Sequence, residues 1–159
     1  MKNTAMTIAL AALFFLASCG KEEVGEKPYS IQGNIDDPAW QADTDYDYSS
    51  SMTAVIQVSL QMVDSMPVPS DIWMTDVDDR LAAFVGDECV GVAQCDDLGR
   101  FFLFIHAPSQ PYGQITLRYY SHTLHNIFNT DTTFPFVNGG QQGTAAEPLL
   151  VPFWAVTQR

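Results

Sequence analysis

Residues 52–62 read MTAVIQVSLQM, and the spacing of their apolar side chains decides the fold class. Met52, Ala54, Ile56, Val58, Leu60 and Met62 fall on one side. Thr53, Val55, Gln57, Ser59 and Gln61 fall on the other. Successive side chains of a strand point to opposite faces, so this alternation predicts a strand with one buried face.

Outward from it the pattern recurs. Leu81-Ala-Ala-Phe-Val85 is a short apolar run, Gly86-Asp87-Glu88 turns the chain, and Cys89-Val-Gly-Val-Ala-Gln-Cys95 follows. After the Asp96–Gly99 turn, Phe101-Phe-Leu-Phe-Ile105 reads as a core strand by its aromatics. Ile115, Leu117 and Tyr119 alternate with Thr116 and Arg118. Ile127-Phe128, Phe134-Pro-Phe-Val137 and Leu149-Leu-Val151 complete the set. Pro135 and Pro152 lack an amide donor and suit edge strands or strand ends. No amphipathic helix of useful length is present. Strands separated by Gly, Asp and Asn turns predict an all-β domain over 49–159, a single antiparallel β-sandwich of immunoglobulin-like or jelly-roll-like type.

The N-terminus reads differently. Ala5 to Leu16 is apolar except for Thr7 and follows Lys2. That run is too short to span a bilayer and has the length of a signal-peptide apolar region. The alternative, a buried helix, would show a polar face. Residues 19–48 are rich in charged, Gly, Pro and hydroxyl or amide positions and read as a flexible tether. Tyr29 to Ile35 alternates weakly, as a first strand would, and Trp40 is placed to dock on the domain.

Leu16-Ala17-Ser18-Cys19 resembles a bacterial lipobox, which implies a signal peptide over 1–18, cleavage before Cys19, and a diacylglycerol thioether and further acyl chain on Cys19. Each buried methylene contributes about 0.8 kcal/mol, and stable anchoring takes more than one chain. Lys21-Glu22-Glu23 resembles the export signal that sends lipoproteins of one Gram-negative group across the outer membrane to the cell surface. Its alternative is the start of a soluble tether facing the periplasm.

Arg80-Leu-Ala-Ala-Phe-Val-Gly-Asp-Glu-Cys-Val-Gly-Val-Ala93 resembles the hallmark of a β-sandwich module in secreted and surface proteins of Gram-negative gut and oral bacteria. There the pattern runs roughly D-x-L/I-A/G-A-F-V-G-D-E-C/V-R-G-V-A. The likeness covers residues 49–151 and departs at Val90, where the module often has Arg. It implies a display or binding module and carries over no catalytic residue.

The chain's net charge is −12, and only Lys2 of its seven Lys and Arg precedes residue 18. Such a surface repels phosphate backbones, which argues against nucleic-acid partners, and it disfavours docking on anionic lipid. Among the three cysteines, Cys89 and Cys95 lie on one expected strand. At about 3.3 Å per residue their Cα atoms would stand roughly 20 Å apart, against the 7 Å limit of a disulfide. Two separate thiols are expected.

Catalytic signatures are missing. There is no G-x-S-x-G, and neither Cys89 nor Cys95 sits in a cysteine-protease pattern. A non-enzymatic protein without a resident cofactor is expected. His122 and His125 follow a strand, where odd spacing points side chains apart, and read as solvated turn histidines; His106 reads as a rim residue. Asp76, Asp78 and Asp79 could offer calcium several hard oxygens. Asp43, Asp45 and Asp47 have the rhythm of a calcium loop without its Gly and distal Glu. Trp73, beside the first acids, and Tyr112, in a Pro-Tyr-Gly turn, are the candidate ligand-binding aromatics, as stacking planes for sugars. The reading that follows is a surface-anchored accessory, adhesive or glycan-contacting module. The alternative is a structural subunit docking by protein–protein contact onto an outer-membrane or secretion assembly.

Overall fold

The computed structural model describes residues 33–42, 50–62, 75–106 and 113–155. The strands are β1 (Ser51–Met62), β2 (Arg80–Val85), β3 (Glu88–Gln94), β4 (Arg100–His106), β5 (Gln114–Ser121), β6 (Asn126–Asn129), β7 (Phe134–Pro135), β8 (Gln141–Gln142) and β9 (Leu149–Ala155). The described residues contain no helix, so the all-β expectation holds. Strand order is β3-β2-β5-β6-β9-β1-β4, with β7 on β5 and β8 on β1.

The sheet is mixed, which corrects the expectation of a wholly antiparallel one. β1 runs parallel to β9 from Ile56↔Leu149 to Met62↔Ala155, and parallel to β8. The sheet also comes near to closing on itself. Its two end strands, β3 and β4, are joined by the Asp96–Gly99 turn and by one bridge, Cys95↔Phe101. A Cβ at Gly91 would stand 2.7 Å from the Phe104 carbonyl oxygen. Glycine there lets β3 lie against β4 without a ladder between them. The junction of β6 and β9 is equally narrow, with the single pair Asn129↔Trp154. Pro152, in mid-strand, is tolerated because β6 reaches β9 only at Trp154.

The alternation read from the sequence places the core. Met52, Ala54, Ile56 and Leu60 of β1 point inward with Leu81 and Ala83, Phe101, Leu103 and Ile105, Ile115, Leu117 and Tyr119, and Val151 and Phe153. Burying one such aliphatic or aromatic side chain is worth roughly 1.5–3 kcal/mol. In β3 the parity breaks. Ala83 faces Gly91 but Phe84 faces Cys89, so Val90 is an extra residue. This bulge turns Val90 into the core. The bulge also separates the cysteines: Cys95 lies in the core, while Cys89 lies across from the outward-facing Phe84, and both are free thiols.

Of the expected tether, residues 33–42 are described, and they lie on the sheet. Gly33 N–H donates to the Leu124 carbonyl and Ile35 N–H to that of His125, both at 2.8 Å. Tyr120 Oη donates to the Ile35 carbonyl, and Arg80 pairs with Asp37 at 2.7 Å. The Trp40 ring stands edge-on to Phe84, 6.0 Å between centroids. Contacts with the sheet therefore begin well before residue 49, and Trp40 docks as the sequence led us to expect. Gly33 and Ile35 form no strand.

Candidate functional site

The acidic turn before β2 is built around one buried carboxylate. Asp79 is 1 % exposed. Its Oδ2 accepts the Tyr119 hydroxyl at 2.6 Å and the Asp76 N–H at 2.9 Å, and its Oδ1 accepts the His122 N–H at 2.7 Å. Its backbone closes the turn through Asp79 N–H to the Asp76 carbonyl, and its own carbonyl accepts from Cys95 N–H. Burial pushes the carboxyl above its ordinary value, outweighing the three donors that favour the charged form. Burial and the Asp79 charge in turn hold the Tyr119 proton firmly on its phenol. Asp79 thus ties the 76–79 turn, the end of β5 and the end of β3 together. Its oxygens are engaged within the fold, and the outward acids of this turn group with His122 instead.

What remains outward on that turn is Asp76 and Asp78, and the third group beside them is His122. One ligand atom from each lies within 4.8 Å of the others. His122 Nδ1 stands 4.0 Å from Asp76 Oδ2. Two carboxylates and an imidazole make a set for a borderline transition ion, since calcium prefers six to eight oxygens. The His122 and His125 rings are also close, 5.8 Å between centroids, because the chain turns at 122–125 and His125 adopts φ 48°. The expectation that odd spacing would hold them apart assumed a continuing strand. His106 is partly buried, and burial lowers its pKa, as fits a rim position.

The outward sides of the barrel differ. On β2 and β5 the outward residues Phe84 and Tyr120 are buried, the first under Trp40 and with the Arg118 guanidinium 4.1 Å above its ring. On β4 and β9 the outward residues stay open: Phe102 is 48 % exposed, Phe104 45 % and Leu150 62 %, with Trp154 beyond them. Between these strands run the outward hydroxyl and amide groups of Thr53, Gln57 and Ser59 on β1. Arg100 crosses this side, paired with Asp96 at 2.7 Å, donating to the Ala145 carbonyl and lying 5.3 Å over the Phe102 ring. Sequence reading missed this surface because it assigned all of Phe101–Ile105 to the core. The signal was there: in a strand, five consecutive apolar residues must send two of them outward.

Cys19, Lys21, Glu22, Glu23, Trp73 and Tyr112, with the 43–47 acids, lie outside the described residues. The chain ends that flank the two aromatics are described. Met62 and Thr75 bound the segment holding Trp73, and Thr75 sits at Gly99, in the β3–β4 turn. His106 and Gly113 bound the segment holding Tyr112; His106 pairs with Ser51, and Gly113 abuts Val85. These described flanking residues, Thr75 on one side and His106 and Gly113 on the other, lie at opposite ends of the barrel. Among the described residues no helix is long and apolar enough to cross a membrane. The chain matches no family model, no curated protein and no solved structure.

Proposed function

We propose that this is a lipid-anchored accessory module, held by acyl chains on Cys19 at the outer membrane and displayed on the cell surface through Lys21-Glu22-Glu23. In this reading it binds and does not catalyse. Its two half-sheets, β3-β2-β5-β6 and β9-β1-β4, are the layers of a flattened, sandwich-like barrel, consistent with the single-pair junctions between them. The observation that carries the binding role is the open outward side of β4-β1-β9, where Phe102, Phe104 and Trp154 accompany Thr53, Gln57 and Ser59. Aromatic planes interleaved with amides and hydroxyls form the apolar platform and placed polar groups that sugars require. Trp73 and Tyr112 are further ligand aromatics in the same proposal. The acidic Asp76, Asp78 and His122 group is left without a role.

A second reading is favoured by Leu150, an exposed aliphatic on that side: a structural subunit docking its sheet on a protein partner. Glycan-array binding by the intact protein, lost on Phe102→Ala with Phe104→Ala, supports the first reading. A stoichiometric protein partner released by the same pair of substitutions, with no glycan bound, supports the second. Protease shaving of intact cells tests the display: resistance of this domain while a known surface protein is cleaved would place it on the periplasmic side.

A further inference from the structure

We infer that residues 33–42 are a strap that biases which end of the barrel faces the membrane, a proposal that rests on the lipid anchor at Cys19. The strap has a direction. It meets the sheet at the His122–His125 turn, through Gly33 and Ile35. It then passes Arg80 at the start of β2 and reaches Phe84 near its end. A Cβ at Gly33 would collide with the His125 carbonyl oxygen, so this entry point fits glycine closely. The strap leaves toward the end of the barrel where β1 begins, since Ser51 pairs with His106 there. It therefore traverses the barrel from one end to the other before the first strand starts.

The attachment point is what matters. With the strap docked, residues 20–32 alone link the anchor to the domain, and fully extended they reach at most about 45 Å. They join at the end that carries the Asp76–Asp79 and Asp96–Gly99 turns. To turn the barrel over, that link would have to run back along a seven-residue strand, about 23 Å. That would consume half its reach, so the docked strap favours one orientation over the other. With the strap undocked, residues 20–50 would link the two, reach about 105 Å and impose no orientation. The docked strap thus presents the Gly86–Glu88 and Asn138–Gly140 turns away from the membrane. It turns the Asp76, Asp78 and His122 group toward the headgroups.

The test uses the full lipidated chain in phosphatidylethanolamine–phosphatidylglycerol vesicles. Fluorophores are placed at Leu98→Cys or Glu88→Cys in a Cys89→Ser, Cys95→Ala background, and energy transfer to a headgroup-labelled lipid is read. Transfer should be several-fold stronger from position 98 than from 88. The difference should shrink in Gly33→Ala, which disturbs only the entry point, and vanish when Trp40→Ala is combined with Asp37→Asn. Equal transfer from the two positions in a chain that floats with the vesicles overturns the orientation while leaving the anchor intact. Loss of flotation overturns the anchor reading, and the orientation with it.

Discussion

The two outward sides of this barrel are made of similar material and meet different fates. On β2 and β5, Phe84 and Tyr120 point away from the core yet are buried, because the strap lies over them. On β4 and β9, Phe102, Phe104 and Leu150 point away from the core and stay open. An outward aromatic is therefore either the seat of another part of the chain or a surface left for something else. The difference lies in the covering segment, since the strands themselves are alike. A hydrophobic side that the chain itself covers contributes to folding; one it leaves open does so only weakly and is available for binding.

That contrast can be broken or sharpened by substitution. The largest effect is expected at Asp79, which holds the His122 turn on which the strap hangs. Asp79→Ala leaves the Tyr119 hydroxyl and two N–H groups without their acceptor. It should cost about 3–5 kcal/mol in urea unfolding and release the strap, seen as loss of hydrogen-exchange protection at Gly33 and Ile35. Next, Phe84→Ala should cost roughly 2–4 kcal/mol, while Phe102→Ala on the open side should stay within about 0.5 kcal/mol. Equal costs for the two would erase the contrast. Trp40→Ala should cost about 1–2 kcal/mol by thermal melting and raise the accessibility of Phe84.

The smallest effect is a pH slope. Because burial raises the Asp79 carboxyl in the folded state, the fold binds its proton more readily than the unfolded chain does. The proton-linked part of the contribution that Asp79 makes to stability is fully present below the unfolded value of 3.8 and is lost as pH rises through the folded one. Asp96 has the opposite sign. Its Arg100 partner lowers its pKa, so its contribution is present above 3.8 and lost as pH falls through its lower folded value. Urea midpoints of Asp79→Asn measured upward from pH 4 should decline less with pH than those of the wild type. A difference between wild type and Asp79→Asn that shifts in favour of the wild type as pH rises would contradict this sign.

How far the sequence could be read depended on what set each feature. Strand identity was legible in Met52–Met62 and Ile115–Tyr119, because a half-buried strand writes its period directly into side-chain type. Pairing was not. The parallel run of β1 beside β9 joins residues about ninety positions apart, and no local pattern encodes it. The Val90 bulge was visible only as a departure from a resemblance, and its inward turn appears once Ala83 and Gly91 are paired. Asp79 read as one acid among three, because its burial comes from Tyr119 and His122, some forty residues away. The open aromatic side was legible in principle from FFLFI and was overlooked because aromatic content stood in for burial.

The two single-pair junctions have a dynamic consequence. Where β3 meets β4 and β6 meets β9, the halves are joined by side-chain packing far more than by backbone ladders. Amides along those margins, such as those of Val92 and Phe128, should exchange with solvent sooner than those in the β1–β4 and β2–β5 ladders. The fold would then breathe along two seams, with each half keeping its own ladders while the pair opens and closes like a book.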